Sequence, residues 1–92
     1  MQSRSATVKN KLGLHARAAA RFVHLASRFQ SHVKVTRGTQ TMDGKSIMGI
    51  LLLAAATGTV LTVSTDGEDE QAALEALCGF IENGFGEDTC SA

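Results

Sequence analysis

Apolar and polar positions change their rhythm several times along the chain. From Ala16 to Arg28 the apolar residues Ala19, Phe22, Val23 and Ala26 recur at helical spacing, which predicts one buried face of a helix. At 32–36 (HVKVT), Val33 and Val35 alternate with polar neighbours, as in a half-buried strand. The turn signal RGT at 37–39 then predicts a hairpin, with QTMD at 40–43 as its return strand. Residues 5–10 (SATVKN) read as a short first strand. The β-branched run TVLTVST at 59–65 reads as the last one. Ser46 stands just before the apolar run Ile47–Ala56 and predicts the N-cap of a short helix closed by Thr57 and Gly58. The acidic turn DGEDE at 66–70 leads into a final helix, where carboxylates suit the positive end of the dipole. Leu74, Leu77, Cys78, Ile81 and Phe85 form its predicted buried stripe, and NGFGEDTCSA follows as a polar tail.

The predicted order is β-α-β-β-α-β-α. In so short a chain it implies an α+β fold, a small antiparallel sheet covered on one face by helices. Ninety-two residues with 43% hydrophobic content suit a single packed domain, expected over 1–85, with a short flexible tail at 86–92. Nine basic residues balance nine acidic ones, which argues against nucleic-acid binding driven by net charge. With no Trp or Tyr, stacking on single-stranded bases is also disfavoured. The N-terminal residues show no apolar signal region, and IMGILLLAAA at 47–56 is too short to span a bilayer, so membrane insertion is not expected. Cys78 and Cys90 lack metal-ligand spacing. Reduced thiols in a cytoplasmic protein are the simplest reading, with Cys78 in the core and Cys90 in the tail.

The chemistry concentrates in LGLHARAAARF at 12–22. His15 falls at the N-terminus of the first helix, where backbone N–H groups have no intrahelical partner. Ala16 and Arg17 offer such N–H groups to an anion, and the Arg17 guanidinium adds charge-assisted hydrogen bonds to phosphate oxygens. Together they make a place to form and hold a phosphohistidine, and the small residues Ala16 and Ala18–Ala20 are expected to keep it accessible. Arg17, Arg21, His24 and Arg28 form a basic stripe on one helix face. The helix after Ser46 is apolar nearly all round, with Ile47, Met48 and Leu51 expected on its open side beside Lys45 as a docking patch. Phosphate on Ser46 would add negative charge there and repel an acidic partner. His24 and His32 read as surface residues, with no metal site expected. A small hydrolase using His15 would need an orienting carboxylate, and no Asp or Glu precedes Asp43.

LGLHARAAARFV resembles the active-site segment of HPr, the histidine-containing phosphocarrier of the bacterial phosphoenolpyruvate-dependent phosphotransferase system. MDGKSIMGILLLAA at 42–55 resembles the regulatory serine segment of that family, and GEDE at 67–70 before the last helix is a third similarity. The resemblance runs from about residue 5 to residue 83. It implies an open-faced β-sandwich of four antiparallel strands with three helices on one side. It implies that His15 takes a phosphoryl group on Nδ1 from phospho-enzyme I and passes it to a histidine of a IIA-type domain, with Arg17 stabilising the phosphohistidine. Ser46 would be the target of HPr kinase/phosphorylase and ATP, and the Ser46 helix with Arg21 and His24 beside it would dock partners. Such a protein is a carrier without turnover of its own or a cofactor, and is expected to be a monomer. Two alternatives stay open: a nitrogen-branch paralogue, and a mainly regulatory module read out through Ser46. Where the family has proline, this chain has Ala18, whose helix propensity should preserve the helix and restore one N–H donor.

Overall fold

The computed structural model describes residues 1–86. Four strands, β1 (Gln2–Thr7), β2 (His32–Arg37), β3 (Gln40–Asp43) and β4 (Val60–Asp66), form one antiparallel sheet in the order β1-β4-β2-β3. Three helices, α1 (Ala16–Ala26), α2 (Ile47–Leu52) and α3 (Glu70–Glu82), pack on it, and a 3-10 turn follows at Gly84–Gly86. Burial alternates along the central strands. Val33 and Val35 on β2 and Leu61, Val63 and Thr65 on β4 face the helices, whereas His32, Lys34 and Asp66 face solvent. The register sets Val35 opposite Val63 and Ala6 opposite Leu61, so the inward residues of neighbouring strands lie side by side. Phe22 from α1, Ile50 from α2 and Leu74, Leu77 and Ile81 from α3 close over them. Each such fully buried side chain stabilises the fold by roughly 1.5–3 kcal/mol. The predicted one-sided α+β architecture is therefore the observed one.

Two boundaries and one placement differ from the sequence reading, each for a tertiary reason. β1 lies at Gln2–Thr7 rather than 5–10. Its pairing with β4 runs from Thr7–Val60 back to Gln2–Thr65, and as an edge strand it tolerates polar residues that carry no apolar signature. Asn10 instead starts a turn, donating from its side chain to the Gly13 carbonyl at 2.7 Å.

α2 ends at Leu52 rather than Ala56. Ala54 adopts φ +49°, a left-handed conformation that stops a helix, and Leu53 and Ala55 on either side of it are drawn into the core. The apolar run is continuous, but its second half is irregular and pins the loop before α1 through the Ala55 carbonyl.

Phe85 is buried as predicted, though not from the helix itself. It adopts φ +58° and packs edge-on against Phe80, with ring centroids 6.0 Å apart. It leaves the α3 stripe and reaches the core from a turn. Cys90 falls outside the described residues. Cys78 is buried as expected, and that burial pushes its thiol pKa up.

Candidate functional site

The segment before α1 is laced to the segment after α2. The Val8 N–H donates to the Thr59 carbonyl at 2.9 Å, and the Gly58 N–H returns a bond to the Val8 carbonyl at 2.7 Å. The Leu14 N–H donates to the Ala55 carbonyl at 2.8 Å. The Thr57 hydroxyl donates to the carbonyls of Asn10 and Lys11. Gly13 sits in the middle at φ +66°, where an added Cβ would stand 2.5 Å from the Ala55 carbonyl oxygen. Only glycine fits that close approach. The outcome is a tight turn, tied by these bonds, that leads the chain into α1.

His15 is the N-cap of α1, with extended backbone at φ −88° and ψ 177°. Its carbonyl accepts the first intrahelical bond, from the Ala19 N–H at 2.8 Å. The N–H groups of Ala16, Arg17 and Ala18 therefore lie ahead of the helical ladder. The half-buried imidazole makes no capping bond to them. Ala16 and Arg17 are exposed, so an anion on the ring has a direct approach to both N–H groups and to the guanidinium. Ala18 and Ala19 are completely buried, which corrects the expectation that they keep the site open. They pack the helix start onto the core, while Ala16 and Ala20 form the open surface. Arg21, His24 and Arg28 are exposed along the predicted basic stripe. His32 is exposed on the opposite, helix-free face of the sheet. No cluster of metal ligands occurs among the described residues.

Ser46 is the N-cap of α2, and its hydroxyl oxygen accepts from the Gly49 N–H at 3.1 Å. Capping here is observed, as predicted. The exposed apolar strip differs in one residue. Ile47, Met48 and Leu52 are 45, 68 and 57% exposed, whereas Leu51 is half-buried and packs against the core. The open strip thus runs one turn along from Met48 to Leu52, and Leu51 is removed from it. Lys45 is not a free surface cation. Its ammonium donates to the Phe29 carbonyl at 2.7 Å, joining α2's entry to the chain just beyond α1.

Sequence reasoning missed three positioning groups. Asn10 is one, though its spacing to Gly13 was a legible turn signal. Arg37 is another: from the end of β2 its guanidinium donates to the Leu53 carbonyl at 2.9 Å, capping the C-terminal end of α2. Asp69 is the third. It stands at the N-cap position of α3, but its side chain makes no cap bond. Its carboxylate accepts from the backbone N–H groups of Gln30 and Ser31, both at 2.9 Å, and from the Ser31 hydroxyl. Those bonds, the Ser31 hydroxyl's first, hold the Asp69 pKa below the usual carboxylate value. Nothing local marks Arg37 or Asp69, because their partners lie 16 and 38 to 39 residues away in sequence.

The fold and site define a class: a small one-sided α+β domain that carries one histidine at the start of an exposed basic helix, beside a short apolar helix. The PTS-HPr family model, described as the PTS HPr component phosphorylation site, matches residues 2–83. The phosphocarrier protein HPr of Cupriavidus necator is 52% identical over 87 residues, covering 95% of this chain and 98% of that one. A crystal structure of HPr from Thermoanaerobacter tengcongensis superposes with a TM-score of 0.90 at 44% identity, covering 96% and 99% of the two chains. A structure of Bacillus subtilis Crh, described as a domain-swapped dimer, is 43% identical with a TM-score of 0.74, covering 91% and 97%. The chain belongs to the HPr family of phosphocarrier proteins. No helix among the described residues is long and apolar enough to cross a membrane.

Proposed function

We propose that the protein carries a phosphoryl group on His15 between two partners of the phosphotransferase system. The observation that carries this reading is the position of His15 as an N-cap whose ring leaves the first-turn N–H groups uncapped. The Nδ1 lone pair attacks the phosphorus of the phosphohistidine on enzyme I. A new N–P bond forms as the donor N–P bond breaks, and the departing pair stays on the donor imidazole. The phosphoryl oxygens then accept from the N–H groups of Ala16 and Arg17, and the Arg17 guanidinium balances their charge. The same step run against a histidine of a IIA-type domain discharges the carrier. The turn held by Gly13 and Ala55 keeps the ring at the helix start, so little reorganisation accompanies transfer.

Docking falls to the exposed strip Ile47, Met48 and Leu52, with Arg17, Arg21 and His24 beside it. A partner with an acidic rim and an apolar centre fits this surface. Ser46 is the regulatory site, phosphorylated by HPr kinase/phosphorylase with ATP. A phosphate there faces the same partners and repels an acidic rim. The carrier domain is residues 1–85, acting as a single chain in the cytoplasm.

The test is intact-mass and phosphosite mapping after incubation with enzyme I and phosphoenolpyruvate. One acid-labile phosphate on the protein, absent from His15→Ala, is the expected result. No phosphate from a competent enzyme I would overturn the carrier role.

A further inference from the structure

Backbone bonds tie the chain on both sides of the turn that enters α1. Val8 is bonded to Gly58 and Thr59 before the turn, and the Leu14 N–H donates to the Ala55 carbonyl after it. Between these ties, two side chains close the turn. Asn10, buried at 1% exposure, donates from Nδ2 to the Gly13 carbonyl at 2.7 Å, and its own carbonyl accepts from the Gly13 N–H at 3.2 Å. The Thr57 hydroxyl reaches across from the loop after α2 and donates to the carbonyls of Asn10 and Lys11.

These bonds end on the reactive residue. The Gly13 carbonyl that accepts from Asn10 Nδ2 also accepts from the backbone N–H of His15, at 3.1 Å. A carbonyl oxygen has two lone pairs, so one acceptor serves both donors. The relay therefore runs from the Thr57 hydroxyl to the Asn10 peptide, from the Asn10 amide to the Gly13 carbonyl, and from that carbonyl to the His15 N–H. The His15 N–H lies in the rigid peptide plane preceding its Cα, so fixing it limits the directions in which the imidazole can point. Both ends of the relay are anchored. Burial makes the Asn10 bond costly to leave unmade. Thr57 stands between Ala56, whose carbonyl accepts from the Thr59 N–H at 3.0 Å, and Gly58, whose N–H donates to the Val8 carbonyl at 2.7 Å.

We infer that Asn10 and Thr57 are positioning residues for phosphoryl transfer, acting through the Gly13 carbonyl on the backbone of His15. The inference rests on the carrier reading. The pair holds the imidazole at the helix start, beside the N–H groups of Ala16 and Arg17, while Nδ1 gains and loses the phosphoryl group. A partner then meets a turn that is already ordered, and transfer does not have to organise it.

The test compares native protein with Thr57→Val, which removes the hydroxyl and keeps the shape, and with Thr57→Ser, which keeps the hydroxyl. Thr57 is exposed, so both variants should fold. The readouts are the kinetics of phosphorylation by enzyme I and the amide shifts of Ala16 and Arg17 that accompany it. In Thr57→Val, kcat should fall about ten-fold with KM nearly unchanged, and the two amide shifts should shrink. Thr57→Ser should restore both. Thr57→Val with native kcat and native shifts would overturn the proposal, as would a folded Asn10→Ala protein with native kcat. A rise in KM alone would also overturn it, because Thr57 would then be a docking contact. Native protein that takes no phosphate from a competent enzyme I sinks the carrier reading instead, which keeps the two failures apart.

Discussion

His15 and Ser46 both stand at helix N-caps, and they use the position in opposite ways. At α2 the Ser46 hydroxyl satisfies the Gly49 N–H, so the helix start is closed by its own side chain. At α1 the imidazole makes no such bond, and Ala16 and Arg17 present their N–H groups outward. Six-residue α2 is too short to stand on propensity alone, so its own cap acts alongside the burial of Ile50 and the Arg37 bond to the Leu53 carbonyl. Eleven-residue α1 is held instead by Ala18, Ala19, Phe22 and Ala26 in the core and by the bonded turn before it. Packing thus frees one helix start to receive an anion, whereas the other is committed to stability. A phosphate on Ser46 would share a donor that its hydroxyl already uses, whereas one on His15 would meet N–H groups that its own side chain does not cap.

The largest predicted effect comes from breaking the His15 side. Gly13→Ala forces an L residue to φ +66° and drives its Cβ into the Ala55 carbonyl. A loss of about 1–3 kcal/mol is expected in urea denaturation, together with slower phosphorylation by enzyme I. Modification of Ser46 in the remaining folded protein should be unaffected. Breaking the other cap is milder. Ser46→Ala should cost about 1 kcal/mol by loss of the Gly49 bond, with His15 phosphorylation retained. Ser46→Asp sharpens the contrast, because aspartate caps as well as serine. Stability should be kept while association with enzyme I weakens, most visibly at low salt.

Smaller still is the effect of relieving the end of α2. Ala54→Gly places glycine at φ +49° and should stabilise the protein by about 0.5–1 kcal/mol, read as a higher denaturation midpoint with unchanged slope. The third N-cap, Asp69, gives the subtlest signature. Its pKa is lower in the folded state, so its stabilisation is present above the unfolded carboxylate value and is lost as pH falls through the lowered one. Asp69→Asn should flatten that acid limb in a stability-versus-pH series and leave the neutral region's slope unchanged.

Much of this was legible in the sequence. The spacing of Ala19, Phe22 and Ala26 defines α1, and the alternation of Val33 and Val35 defines β2, because both patterns are local and each buries one face. His15 and Ser46 were legible for the same reason: capping is decided within four residues. What local pattern conceals is whatever depends on a distant partner. The end of α2 follows from the Leu14–Ala55 bond, which joins segments 41 residues apart. The carboxylate of Asp69 is diverted from its own helix to Ser31, and Lys45 is tied to Phe29. Leu51 and Leu52 are chemically alike, and only the roll of a short helix against α1 and β3 decides which one is exposed.

The most direct measurement compares amide spectra of the protein before and after enzyme I-dependent phosphorylation. If the open start of α1 holds the phosphoryl group, the largest shifts fall on the N–H groups of Ala16 and Arg17, towards stronger hydrogen bonding, and those of α2 stay nearly still. A phosphorylated His15 that leaves Ala16 and Arg17 unmoved would contradict the account. It would mean that the exposed helix start is a consequence of packing alone.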